Sequence, residues 1–223
     1  MMKSINNTSV PVALFFFTRP EPLKEVFEQV KLAKPKELFL IQDGERENKK
    51  DIEKILECRR VVGNVDWPCK VYTNYSDANL GVGKRISSGI KWAFEHVDRL
   101  VILEDDCVPS QSFFTFSEEL LEKYLNDERV NMISGMNHLG VRDDIEESYF
   151  FCQTGAIWGW ATWKRVWELY DFDMDFYNEE KVMQKLSDAY YRSFSKALLK
   201  RGKDVYSKIE KGEKLSAWTY QFR

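Results

Sequence analysis

An α/β fold with a mostly parallel central sheet flanked by helices follows from two features of this chain. Short apolar runs alternate with amphipathic helical stretches through residues 10–103, and the last of those runs ends abruptly in three consecutive acids, Glu104, Asp105 and Asp106. Strands separated by helices pair in parallel, because a parallel pair needs a long crossover. Such sheets bind ligands beyond the carboxyl ends of their strands, which is where the acids are expected.

The first strand is expected at 11–17, a near-continuous apolar run of the kind covered on both faces. Pro22 suits a first helical turn, and Leu23, Val26, Phe27 and Val30 recur at helical spacing before Pro35. A second strand at 38–42 closes on Asp43 and Gly44. A charged helix carrying Ile52, Ile55 and Leu56 then leads past Gly63 and Pro68 to a third strand at 70–73. Ile86, Ile90, Ala93, Phe94 and Val97 mark the next helix, which feeds the strand at 100–103. Beyond the acids, Phe113, Phe114, Leu120 and Leu121 make an apolar helix with Ser110 or Ser112 available as its N-cap. Further strands are expected at 130–134 and 149–153, and one long charged helix around 179–200. Residues 155–167 hold four of the seven tryptophans; Trp163 and Trp167 fall at helical spacing and read as core, whereas Trp158 and Trp160, beside Gly155 and Gly159, suit a ligand-facing surface as well as core.

Length and composition set the frame. The 223 residues, 43% of them hydrophobic, can bury one sizeable core, so a single domain is expected over 1–223. With 33 basic and 36 acidic residues the net charge is -3, which does not mark a nucleic-acid binder. The four cysteines show no metal-binding or disulfide spacing, which suits a reducing, cytoplasmic compartment. The apolar run at 10–17 is too short to span a bilayer and lacks a cleavage site, although it is compatible with peripheral contact at the cytoplasmic face of a membrane.

On the expected topology Arg19, Asp43, the stretch from Asn74 and the acids 104–106 share one rim. Residues 81–85 (Gly-Val-Gly-Lys-Arg) form a glycine-rich turn into a helix. They match neither common nucleotide-binding template: a P-loop would need glycine at Ala78 and serine or threonine at Arg85, and a dinucleotide fingerprint would need glycine at Ile86. What is left is a helix start with Lys84 and Arg85 in its first turn, suited to an anion.

Taken in order, these motifs resemble the glycosyltransferases of GT-A fold (the nucleotide-diphospho-sugar transferase fold), and within them the N-acetylglucosaminyltransferase I type and related bacterial glycosyltransferases. The resemblance covers about residues 10–170. It rests on Thr18, Arg19 and Pro20 after the first strand, Gln42-Asp43-Gly44, Asn79-Leu80-Gly81, the helix through Trp92, the DXD-like Glu-Asp-Asp triplet with Phe113 and Phe114 downstream, and the aromatic 155–167 segment. It implies a nucleotide-binding part at about 10–110 and an acceptor-side part at about 111–223, the latter open to being either truncated or naturally short. It also implies a nucleotide-sugar donor, usually UDP-linked, and Mn2+ or Mg2+ held by Asp106. Asp105 would sit near the donor ribose or sugar, Glu104 near sugar hydroxyls, Arg19 and Asp43 on the nucleotide, and Lys84 or Arg85 near the phosphates. A glycan or lipid-linked acceptor would be glycosylated in cell-surface polysaccharide synthesis.

The residues themselves leave other readings open. Asp43 before Gly44 is also an ordinary turn former, and His138 in its polar loop suits either an acceptor or solvent. An inverting transfer needs a group to take the acceptor proton. In the resembled enzymes it is an acid directly after a tryptophan, but Thr219 follows Trp218 here, leaving Glu213 and His138 as weak candidates. A sugar nucleotidyltransferase would place a glycine-rich loop after the first strand, which this chain lacks. A catalytically silent nucleotide-sugar or glycan-binding module is the alternative from another class.

Overall fold

A computed structural model of the chain describes residues 8–215 apart from 48–49, 138–139, 141–145, 154, 176, 190–191 and 214. Six strands form one sheet in the order β3-β2-β1-β4-β6-β5: β1 Val12–Phe16, β2 Glu37–Gln42, β3 Lys70–Tyr75, β4 Arg99–Glu104, β5 Ile133–Ser134 and β6 Trp160–Trp163. The first four are parallel, as the alternation of strands and helices predicts; β6 runs antiparallel to β4 and carries β5 on its outer side. Fully buried β1 and nearly fully buried β2 and β4 form the middle of the sheet, while β3 is an edge strand with a half-exposed pattern.

Helices cover both faces. On one side, α1 (Pro20–Ala33) buries Leu23, Val26, Phe27 and Val30, and α4 (Gln111–Lys123) buries Phe113, Phe114, Leu120 and Leu121. α2 (Ile52–Val62) packs against α1 through Ile55, Cys58 and Val62, leaving Ile52 and Leu56 in solvent, so only part of its expected apolar face is core. On the other side, α3 (Val82–Ala93) buries Ile86, Ile90 and Ala93 against Phe15, Phe39 and Ile41. It lies so close to the sheet that a Cβ on Gly89 would come within 2.6 Å of the Phe15 ring and 2.8 Å of Ile41.

The second half departs from expectation. Trp160 and Trp163 lie on a strand, and only 164–167 turn as helix α5 (Lys164–Trp167). Trp163 is fully buried and donates its Nε1–H to the Leu121 carbonyl at 2.9 Å, so its core role stands while its helical reading does not. The expected strand at 130–134 shrinks to two residues, and the Asn131 carbonyl ahead of it accepts the Thr162 hydroxyl at 2.8 Å. Segment 149–153 is not a strand; Tyr149 and Phe151 pack edge-to-face on each other and on Tyr124. The charged helix is two helices, α6 (Glu179–Ala189) and α7 (Arg192–Glu210). Ser110 stands at the N-cap of α4, but its hydroxyl pairs with that of Ser112 at 2.8 Å rather than capping the helix. No described helix is long and apolar enough to cross a membrane.

Candidate active site

Because β1, β2 and β4 are parallel and in register (Phe15 opposite Glu104, Phe16 opposite Gln42), their carboxyl ends bring Arg19, Asp43 and the acidic triplet to one rim. Between them and the start of α3 lies a cleft of about 410 Å³. Phe15, Phe17, Ile41 and Ile86 are among its apolar walls, and its polar lining includes Arg19, Asp43, Arg46, Arg85, Glu104 and Asp105. An apolar cleft with a few placed polar groups is the usual form of a small-molecule site.

At the lip, Arg19 forks across two carboxylates. One terminal nitrogen pairs with Asp105, and Nη1 donates to Asp106 Oδ2 at 2.8 Å. Asp105 is 3% exposed and also accepts the Phe17 N–H at 3.3 Å, so the turn after β1 and the end of β4 are tied together through it. Burial keeps the Asp105 carboxyl above its ordinary range even with Arg19 upon it. Burial alone would lower Arg19, but the two acids hold its pKa above the usual arginine value. Glu104 is pushed up to about 7, first by burial and then by Asp106 and Asp105, with Arg19 opposing. Near pH 7 that carboxyl is a ready proton donor or acceptor.

Asp43, 6% exposed, is a loop clamp. Its Oδ1 accepts the N–H groups of Gly44 and Leu80, at 3.0 and 2.8 Å, and its Oδ2 that of Gly81 at 3.0 Å. Gly81 enters α3 at φ 78°, a conformation glycine adopts freely and other residues rarely do. The loop presses on Gly44 so closely that a Cβ there would lie 2.6 Å from the Ala78 backbone. Asp43 therefore shapes the cleft wall and still lines it.

The two basic residues opening α3 stand apart: Arg85 lines the cleft and Lys84 does not. Arg85 is buried, and its guanidinium is a strut, donating to the Gln42 carbonyl at 3.1 Å and to Asn74 Oδ1 at 2.9 Å. Lys84 is exposed and lines a separate groove with Ser87, Lys91 and Lys164, away from Arg19. Arg46, which sequence reading missed, lines the cleft beside Arg19 and Arg85. It holds Asp51 through two bonds of 2.7 Å and lies 5.2 Å from the Phe17 ring centroid. Its signal was only an arginine shortly after Asp43.

On the other side of Asp106 a second cleft, of about 480 Å³, is lined by Leu103, Asp106, Ser110, Phe113, Met136 and Trp158, among others. Trp158 is 58% exposed there. Trp160 is 2% exposed on β6 with its ring near Trp167, so of the two places open to it, core and ligand-facing surface, the second is corrected and it belongs to the core. Glu213 is exposed just after α7 and lines neither cleft, although two residues on, the Leu215 carbonyl accepts the Gly83 N–H at 3.2 Å. His138 and Thr219 lie outside the described residues.

Among the described residues no group of three or more His, Cys, Asp or Glu converges on a point, so nothing there cages a metal. Asp106, half-exposed at the lip, does fit the alternative in which a hard cation is held by one or two carboxylates and completed by phosphate oxygens of a ligand.

No family model and no curated protein matches the sequence. Among solved structures the chain is similar to the mannosyltransferase PcManGT from Pyrobaculum calidifontis, in complex with GDP-Man and Mn2+. That likeness has 14% identity and a TM-score of 0.42, and covers 58% of this chain and 35% of that one. It is also similar to a 4-diphosphocytidyl-2C-methyl-D-erythritol synthase from Anaerococcus prevotii, at 12% identity and a TM-score of 0.39 over 71% and 72% of the two chains. The chain thus spans about a third of the mannosyltransferase. At these scores neither likeness bears on function, and the α/β class rests on the sheet topology itself.

Proposed function

We propose that this chain is a GT-A-type glycosyltransferase that takes a sugar from a nucleoside diphosphate, UDP in the first instance, and passes it to the hydroxyl of a glycan or lipid-linked acceptor in cell-surface polysaccharide synthesis. The observation that carries the reading is the position of Asp106. It stands at the carboxyl end of β4, paired to Arg19 at the lip of one cleft and lining a second cleft beside exposed Trp158. Two clefts meeting at one acidic strand end suit a reaction that joins two substrates.

In this reading the nucleotide lies in the first cleft, its base against the apolar walls, with Arg46 over Phe17 closing one end. Arg19 faces the diphosphate, and Asp105 keeps the guanidinium aimed from below. Glu104 holds a sugar hydroxyl, either giving or taking the hydrogen bond near neutral pH. Trp158 offers an apolar face to an acceptor ring. Asp106 would hold Mn2+ or Mg2+, which when bound offsets negative charge on the departing diphosphate.

A second reading, a nucleotide-sugar-binding module that transfers nothing, is favoured by one observation. Among the described residues lining the second cleft, Asp106 is the single carboxylate, and it is committed to Arg19. Incubation of UDP-sugars with the protein and Mn2+ separates the two. Slow release of free sugar, lost in Asp106→Asn, supports the transferase; tight UDP binding without any release supports the module.

A further inference from the structure

Resting on the donor-site reading above, we propose that the Arg19 guanidinium and a divalent cation exclude one another on Asp106, so that the chain takes up metal together with a diphosphate and only weakly without one. Arg19 spans both acids: one terminal nitrogen is on buried Asp105, whose side chain is 4% exposed, and Nη1 is 2.8 Å from Asp106 Oδ2. The two ends of this bridge are unequal. Asp105 is fixed by burial and by the Phe17 N–H, whereas the Arg19 and Asp106 side chains are 52% and 50% exposed.

A cation on Asp106 would sit on the carboxylate that already neutralises a guanidinium, bringing like charges together at the same oxygens. Arg19 has somewhere to go, because its other nitrogen stays on Asp105 while Nη1 swings from Asp106 to a phosphate oxygen. A diphosphate therefore does two things: it completes the coordination of the cation and receives the displaced N–H. Metal and nucleotide bind with positive coupling, and each raises the affinity of the other by the same factor. Arg19 is here a positioning residue that sets the order of binding.

The test is Mn2+ binding without nucleotide, read by the loss of the free Mn2+ electron-spin resonance signal, in the natural chain, Arg19→Gln, Arg19→Lys and Asp106→Asn. Arg19→Gln keeps an N–H donor for Asp105 and removes the charge, and is expected to tighten Mn2+ at least about tenfold. Arg19→Lys keeps the charge but cannot bridge both acids, and its gain is expected to be smaller. Asp106→Asn abolishes binding. In Arg19→Gln the factor by which Mn2+ improves UDP binding, measured by calorimetry, should also shrink. Thermal melts confirm that the variants are folded. Unchanged or weaker Mn2+ binding in folded Arg19→Gln overturns the proposal, as does absence of Mn2+ binding in every form. If UDP still binds the natural chain in either case, the donor-site reading survives; if it does not, that reading falls as well.

Discussion

On the β1–β2 side of Asp106 the polar side chains are already engaged with the protein: Asp43 on three backbone N–H groups, Arg46 on Asp51, Arg85 on Gln42 and Asn74, and Arg19 on Asp105 and Asp106. On the β6 side the rim is made of exposed apolar side chains, with Val108, Met136 and Trp158 all more than a third in solvent. The first region is organised before any ligand arrives, and the second presents surface that a ligand would have to cover. That difference follows from construction. Four parallel strands fix the first rim from within, whereas the second hangs on one antiparallel strand and a two-residue partner.

The contrast can be broken most severely at the tryptophans. Trp163→Ala should cost about 3–5 kcal/mol in urea unfolding, since it empties a fully buried site and strands the Leu121 carbonyl. Arg85→Leu should follow at about 2–3 kcal/mol, because the Gln42 and Asn74 oxygens lose a charged donor, whereas Lys84→Met next to it should stay within about 0.5 kcal/mol. Equal effects at 84 and 85 would show that the strut does not hold the rim.

Glu104 gives the first rim a pH dependence near pH 7. Its folded pKa of about 7 lies above the ordinary 4.5, so between those values the folded chain keeps a proton that the unfolded chain gives up. The stability it contributes is full below about pH 4.5 and is lost as pH rises through 7. Glu104→Gln should flatten that part of the stability profile, by on the order of 1–3 kcal/mol across the window. A profile unchanged by the substitution would remove the strained carboxyl from the account. The smallest effect is expected at Trp158→Ala, within about 0.5 kcal/mol in stability. Because its ring is 58% exposed, any loss there should fall on acceptor use rather than on UDP binding.

The same asymmetry governs what can be read from the chain. Strands β1, β2 and β4 are legible because burial on both faces demands unbroken apolar runs, and their order places Arg19, Asp43 and the triplet on one rim. The clamp that Asp43 makes is not legible, since Leu80 and Gly81 lie 37 and 38 residues away and nothing in an Asp-Gly pair names its partners. Nor is the split between Lys84 and Arg85, which depends on which side of α3 faces the sheet. Trp163 misleads because its spacing to Trp167 imitates a helix, and Trp160 because a strand buried on both faces carries no alternation to mark it as core. Tyr149 and Phe151 do alternate, yet their rings satisfy one another and Tyr124 without a sheet.

The rim holding Arg19 and Asp106 is proposed as a nucleoside-diphosphate site served by a divalent cation. Calorimetric titration of UDP into the natural chain and Asp106→Asn, each with Mn2+ and with chelator, tests it most directly. The account predicts saturable binding to the natural chain with Mn2+, weakened at least about tenfold by the chelator or by Asp106→Asn. Absence of UDP binding in every condition, or binding indifferent to both metal and Asp106, would contradict it.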